Sequence, residues 1–356
     1  MGRAAGPRMT AGLTPRRTVR LPAALVIALG VVALVASIAA AMTLGAADVS
    51  LVSVRDIILN NLGLANIPVR PAANAIVWED RLPRALVAAA CGAGLGLCGV
   101  VMQALLRNPL ADPFILGVSS GASTGAVLVA VLGLGSGALG LSAGAFIGAL
   151  VAFALVLVLA RAAAAGTSGV ILAGVAGTHF FSAVTSLIVF AFADSDATRG
   201  VMFWLLGSLE GMRWNHVLLA IVVVTVGALA VAASAPTLDA FAFGDDVAAS
   251  LGIHVSRVRT LLFILTALMT ATLVSIAGAI GFVGLVLPHA ARLLVGPRHA
   301  RVVPTTIVLG ALFMVWVDAA SRTVFAPSPL PVGVGTALVG VPVFVALLVR
   351  RKKVRA

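Results

Sequence analysis

Residues 85–106 read ALVAAACGAGLGLCGVVMQALL, with no charge and with Gln103 as the single amide side chain. As a helix this run is about 33 Å long, enough for the roughly 30 Å hydrocarbon core of a bilayer. A polar break follows at once, Arg107, Asn108, Pro109, Leu110, Ala111, Asp112, Pro113. Its prolines and short polar side chains end a helix and turn the chain. The same alternation of apolar run and short break recurs along the sequence, with further runs at 21–47, 114–134, 140–160, 169–193, 215–234, 258–277, 279–296, 303–321 and 332–349. The expected fold class is therefore an all-α polytopic membrane protein of about ten transmembrane helices. The seventh and eighth runs nearly touch at Ala277, Gly278 and Ala279, which leaves nine spans as an alternative.

Composition points the same way. Of 356 residues, 61% are apolar and 10% charged, whereas a soluble domain keeps roughly a quarter charged. The 24 Lys and Arg against 12 Asp and Glu would suggest nucleic acid in a soluble chain. In a spanning chain they follow topology, because basic residues collect on the cytoplasmic side. The ten-span reading, with both termini cytoplasmic, gathers most of them there, and no nucleic-acid partner is expected. It divides the chain into a basic disordered arm at 1–20, a permease domain at 21–349 with one sizeable cytoplasmic loop at 236–257, and a basic tail at 350–356. The first run, with its basic head, resembles a signal peptide, but it exceeds the usual apolar core of one and precedes many more spans, so an uncleaved span is expected.

Small residues four apart, such as Gly92 with Gly96 and Gly140, Gly144 and Gly148, let helix backbones approach closely in lipid and imply a tightly packed Gly/Ala-rich bundle. Cys91 and Cys98, seven residues apart on one helix, are about 10 Å apart and out of reach of each other for a disulfide. Gly94, Gly96 and Gly99 match a GxGxxG spacing but lie inside an apolar run, without the preceding strand that a dinucleotide site needs. The only lysines are Lys352 and Lys353, so no phosphate-binding GxxxxGK[ST] loop exists. The five histidines, His179, His216, His254, His289 and His299, form no metal-ligand spacing. The chain is thus expected to bind no metal or cofactor and to catalyse nothing itself. Charges fall in loops or near helix ends, Asp318 and Arg292 included, which disfavours an ion-coupled secondary transporter. That class remains the alternative, since a sodium site built from carbonyls would leave no such trace.

Four polar clusters interrupt the apolar pattern. The first is Arg81-Leu82-Pro83-Arg84. The second is Gln103 with Arg107 to Pro113, then Gly117 and Ser119 to Ala122. The third runs from Gly244 through Asp245, Asp246, Val247, Ala248, Ala249, Ser250 and Leu251 to Gly252, and the fourth from Gly281 to Arg292 and Gly296. With Leu172 to Val175, Trp204, Gly207 and Ser208, and Asp318 with Arg322 ahead of Pro331-Val332-Gly333, their order from Arg81 to Phe344 resembles the FecCD family. These are the permeases of ABC importers for iron-siderophores, haem and cobalamin. The family often has a Glu just before the Leu-Pro-Val-Gly run, where this chain has Pro329.

The resemblance implies a permease in the bacterial cytoplasmic membrane that works with a second permease, identical or homologous, with two ATPase subunits that carry ATP and Mg, and with an extracytoplasmic binding protein. The cargo it implies is a metal chelate, iron-siderophore by default, moved by alternating access. On that plan Arg81, Arg84 and Arg322 would meet acidic groups of the binding protein, with Arg81 and Arg84 flanking Pro83 on an extended or turn segment; interfacial anchoring is the competing reading. Phe243, Gly244, Asp245, Asp246, Val247, Ala248, Leu251 and Gly252 would form a short amphipathic helix inserted into an ATPase groove, with Asp245 or Asp246 capping its first turn. Thr167 and Ser168 would line the cytoplasmic gate, or simply cap a helix. Asn108, Pro109, Pro113, Pro288 and His289 are expected to shape turns.

Overall fold

The computed structural model describes residues 22–45, 47–133, 138–163, 166–193, 195–324 and 329–355. The basic arm expected at 1–20 lies outside them. The described chain is helical throughout: α1 (Ala23–Thr43), α2 (Leu51–Asn61), α3 (Pro71–Asn74) with a wider turn at Ala75–Arg81, α4 (Leu82–Leu105), a 3-10 turn at Pro113–Leu116, α5 (Val118–Leu132), α6 (Ala138–Ala162), α7 (Gly166–Phe192), α8 (Ser195–Leu205), α9 (Trp214–Ala233), α10 (Ala235–Phe243), α11 (Asp245–Ser250), α12 (Val255–Ala277), α13 (Val283–Val295), α14 (His299–Thr323) and α15 (Val332–Arg355).

Seven helical segments are long and apolar enough to cross a membrane, and three shorter apolar helices lie at 118–131, 283–295 and 332–346. These ten fall on the ten apolar runs of the sequence. Helices α2, α8 and α10 lie outside that pattern, because they are short and mix polar with apolar residues. The tail expected at 350–356 continues α15 as helix to Arg355.

Helix α4 is the centre of the bundle. Its apolar window is 89% buried, against 17% for α1 and α7, and α9, α12, α13 and α14 pack around it. Glycine makes this possible, since lipid supplies no hydrophobic drive between helices and contact depends on close backbone approach. A methyl group on Gly92 would fall on the Gly310 carbonyl of α14, and one on Gly99 would fall on the backbone of Gly284 in α13. Helices α5 and α6 meet in the same way through Gly121 with Gly148 and Gly125 with Gly144. The outer helices expose Leu, Val and Phe, for example Val32, Val151, Phe190 and Leu229, as a lipid-facing surface does.

Pro288 and His289 do not form a turn. They lie inside α13, and the chain reverses earlier, where Gly278 and Phe282 take positive φ values of 72° and 67°. An interior proline leaves the carbonyl four residues back without its N–H partner. Here that carbonyl, Gly284 O, accepts from Gln103 Nε2 of α4 at 3.1 Å, as does Leu285 O at 3.2 Å. The Gln103 carbonyl oxygen in turn accepts from Arg292. A backbone gap that lipid would leave unsatisfied is closed by one amide side chain.

Candidate functional site

Two polar clusters mark opposite ends of α4, about 36 Å apart by helix length. At the N-terminal end, Arg81, Arg84 and Arg322 come together as the sequence suggested, but they are buried and turned inward. Arg84 Nε donates to Asp318 Oδ1 at 2.8 Å, and Arg322 Nε lies 3.2 Å from Asp318 Oδ2. Asp318 is only 1% exposed, so one carboxylate serves two guanidiniums in a site with little water. Arg322 also donates to Ala41 O at 3.2 Å, and Arg81 donates to Met42 O at 2.7 Å and Ala47 O at 2.6 Å. The cluster therefore fastens the ends of α1, α4 and α14. Arg81 and Arg84 sit on helical turns, not on the extended or turn segment expected around Pro83, because the chain runs as continuous helix from Pro71 through the wider turn at Ala75–Arg81 into α4, and Pro83 lies just after that wider turn.

At the other end, the expected single amphipathic helix is two, α10 and α11, broken at Gly244. Its φ of 117° is a conformation that favours glycine. Glycine thereby takes the cap position of α11, and neither Asp245 nor Asp246 caps it. Both lie in the first turn, where their charge complements the free amides of the helix start. Asp245 instead pairs with Arg259 of α12 at 2.6 Å, and that guanidinium lies 5.5 Å from the Phe241 ring centre. Phe243 and Leu251 are 79% and 67% exposed, and Val247 is also exposed, while Ala248 is fully buried. Gly252 closes the segment with φ 82°. The elbow thus presents an apolar surface beside the exposed Asp246.

A second tie fixes this elbow to the bundle. Asp239 of α10 accepts from the backbone N–H of His299 at 3.0 Å and lies 2.6 Å from its Nδ1. The turn after α4 lies beside the elbow, with the Arg107 guanidinium close to Gly244. Arg107 itself is held with φ 48° in the turn after α4, where Asn108 Oδ1 accepts from Leu110 N at 2.9 Å. Asp112 Oδ1 then accepts from Phe114 N at 2.9 Å, and Pro113 opens the 3-10 turn. Asn108, Pro109 and Pro113 accordingly lie in the turn between α4 and the 3-10 turn. Thr167 and Ser168 sit in the first turn of α7, Thr167 half-buried and Ser168 exposed. The Asp239–His299 and Asp245–Arg259 ties have no signal in the sequence, since nothing there brings residues 60 and 14 positions apart together.

A glycine-packed bundle of apolar helices, with charge confined to its two ends and an exposed apolar elbow at one of them, defines a multi-pass membrane protein. The model of the FecCD transport family matches residues 32–350, and the chain belongs to that family. It is 42% identical over 285 residues to the cobalamin import system permease BtuC of Halobacterium salinarum, covering 80% of this chain and 76% of that one. It is 35% identical over 314 residues to the iron(3+)-hydroxamate import permease FhuB of Bacillus subtilis, covering 88% and 79%. Among solved structures, an ABC transporter assigned to the metal-chelate type and captured facing inward superposes with a TM-score of 0.82 at 28% identity, over 92% of this chain and 99% of that one.

Proposed function

We propose that this chain is the translocation subunit of a binding-protein-dependent ABC importer that carries a metal chelate across the cytoplasmic membrane. Family membership over residues 32–350 carries this reading, and the elbow gives it a mechanism. A separate ATPase grips Phe243, Val247 and Leu251, whose exposure has no use in a merely solvated loop. Closure of two ATPase subunits then moves the elbow, and the Asp239–His299 tie transmits that movement to the start of α14. Helix α14 ends in the Asp318–Arg322 cluster, so a push at one end reaches the other along a single rod. Thr167 and Ser168 stand at the cytoplasmic mouth. A second permease copy, identical or homologous, completes the pathway.

Iron-siderophore is the cargo that the family's range favours. A specific observation favours cobalamin as a second reading, namely the 42% identity to a cobalamin permease. A panel of iron-hydroxamates, haem and cobalamin, tested against the binding protein encoded beside this chain, decides between them.

The coupling reading is tested by co-expressing the chain with its neighbouring ATPase. Phe243→Ala with Leu251→Ala should leave the unfolding temperature of the purified chain nearly unchanged, since exposed substitutions move stability by less than about 0.5 kcal/mol. The same pair should abolish ATPase retention and uptake. Retention of the ATPase by the double variant overturns the coupling role of Phe243 and Leu251, and uptake that persists without ATP and collapses with the ion gradient sinks the importer reading in favour of a secondary transporter.

A further inference from the structure

Helices α9 and α14 both pack on α4 but touch each other only lightly, and between them a groove of about 470 Å³ is left open. That is the size of a small-molecule site. Leu229 and Ala232 of α9 line it with Ala300, Pro304 and Ile307 of α14, and Thr225 is the single polar side chain on its walls. Leu229, Ala232 and Ala300 are exposed, so the groove opens on the outside of the bundle. Both walls belong to helices long and apolar enough to span a membrane, and the medium that reaches them is hydrocarbon. From Ala300 to Ile307 the α14 wall rises about 10 Å, most of the roughly 15 Å that one leaflet contributes to the hydrocarbon core.

The groove ends at the start of α14, beside the elbow. Arg298 immediately precedes that helix and Arg301 lies in its first turn, its N–H donating to Arg298 O at 3.0 Å. Both are exposed, and among the described residues neither guanidinium is in an ion pair. His299 between them is buried and holds Asp239, so that carboxylate is already taken. Apolar walls alone accept any acyl chain without regard to its headgroup. Two cations at the mouth add a preference for an anion, as basic pockets between spanning helices do at the cytoplasmic face. We propose that the groove binds one anionic phospholipid, with its phosphate held by Arg298 and Arg301 and one acyl chain laid between α9 and α14. Arginine suits this place, because its stem packs on apolar surface while its head reaches the phosphate layer, and its planar fork matches phosphate oxygens in pairs. The site requires only that the chain spans a membrane; it does not rest on the importer reading.

The test follows thermal melting of the full chain, purified in detergent, as phosphatidylglycerol or phosphatidylcholine with the same acyl chains is added. Phosphatidylglycerol should raise the midpoint to a plateau, as a ligand of the folded state does, and phosphatidylcholine should not. Arg298→Gln with Arg301→Gln removes two cations that together strengthen contact with anionic lipid about thirtyfold. The rise should then need about thirty times more lipid, while the midpoint without lipid stays that of the unmodified chain. Ala300→Trp should fill the groove and remove the rise with both arginines in place; Ala232→Phe, on the other wall, serves where Ala300→Trp lowers the lipid-free midpoint. Equal rises with the two lipids mean bulk lipid only and overturn the proposal, as does no rise with either. A rise left unchanged by the arginine pair, or by both groove fillers, places the lipid elsewhere and overturns it too. So does a rise that inorganic phosphate alone reproduces, since no acyl chain is then involved.

Discussion

One carboxylate shared by two buried guanidiniums is a costly arrangement that survives only while every member is present. Removing a single partner from a buried ion pair leaves an uncompensated charge, at a cost of about 3–5 kcal/mol. Asp318→Asn should therefore lower the unfolding temperature of the full chain in nanodiscs markedly, and Asp318→Asn with Arg84→Met should recover part of the loss. Wild-type melting of the single variant would show that the cluster bears no structural load. Asp112 makes a second prediction. Burial pushes its carboxyl up to about 6, against the downward pull of the Phe114 amide. The folded chain then holds a proton that the unfolded chain releases, so the contribution of this carboxyl to stability is greatest below about pH 4, falls as pH rises towards 6 and is level above that. Asp112→Asn keeps the oxygen that accepts from Phe114 and should flatten melting temperature across this window.

At the level of elements, glycine decides how close two helices can come, and the contacts rank the positions. A methyl on Gly99 would strike the backbone of Gly284, which has no rotamer to change, whereas one on Gly96 meets the Thr306 methyl at 3.0 Å, a side chain that can shift by tenths of an ångström. Gly99→Ala should thus cost about 1–3 kcal/mol by overpacking and Gly96→Ala distinctly less, as read from thermal melts of the two variants. Hydropathy revealed the apolar elements because lipid demands uninterrupted runs of them. It could not show that Pro288 lies inside a helix, because its compensation comes from Gln103, 185 positions earlier by the numbering. Nor could it show that the elbow breaks in two, which depends on a positive φ at Gly244.

Across the whole molecule, the sequence made the class of protein legible, because the order of its polar clusters and its ten apolar runs survive in the fold. The roles of its charges were less so. Arg81, Arg84 and Arg322 were visible as a set, yet a sequence does not say on which side of a helix a guanidinium lies, and Asp318 stands 234 positions from Arg84.

The separation between Arg84 and Asp318 also sets a timetable for biogenesis. Helix α4 leaves the ribosome early, but Gly284 and Asp318, which close its amide and its cation, follow 181 and 234 positions behind their partners. At roughly 5–20 residues per second of synthesis, the nascent hub spends on the order of 10–45 seconds at the insertion machinery with those groups unmatched. A chain halted before residue 284 is therefore left with an orphaned centre, a mark by which membrane quality control can single out unfinished copies for disposal.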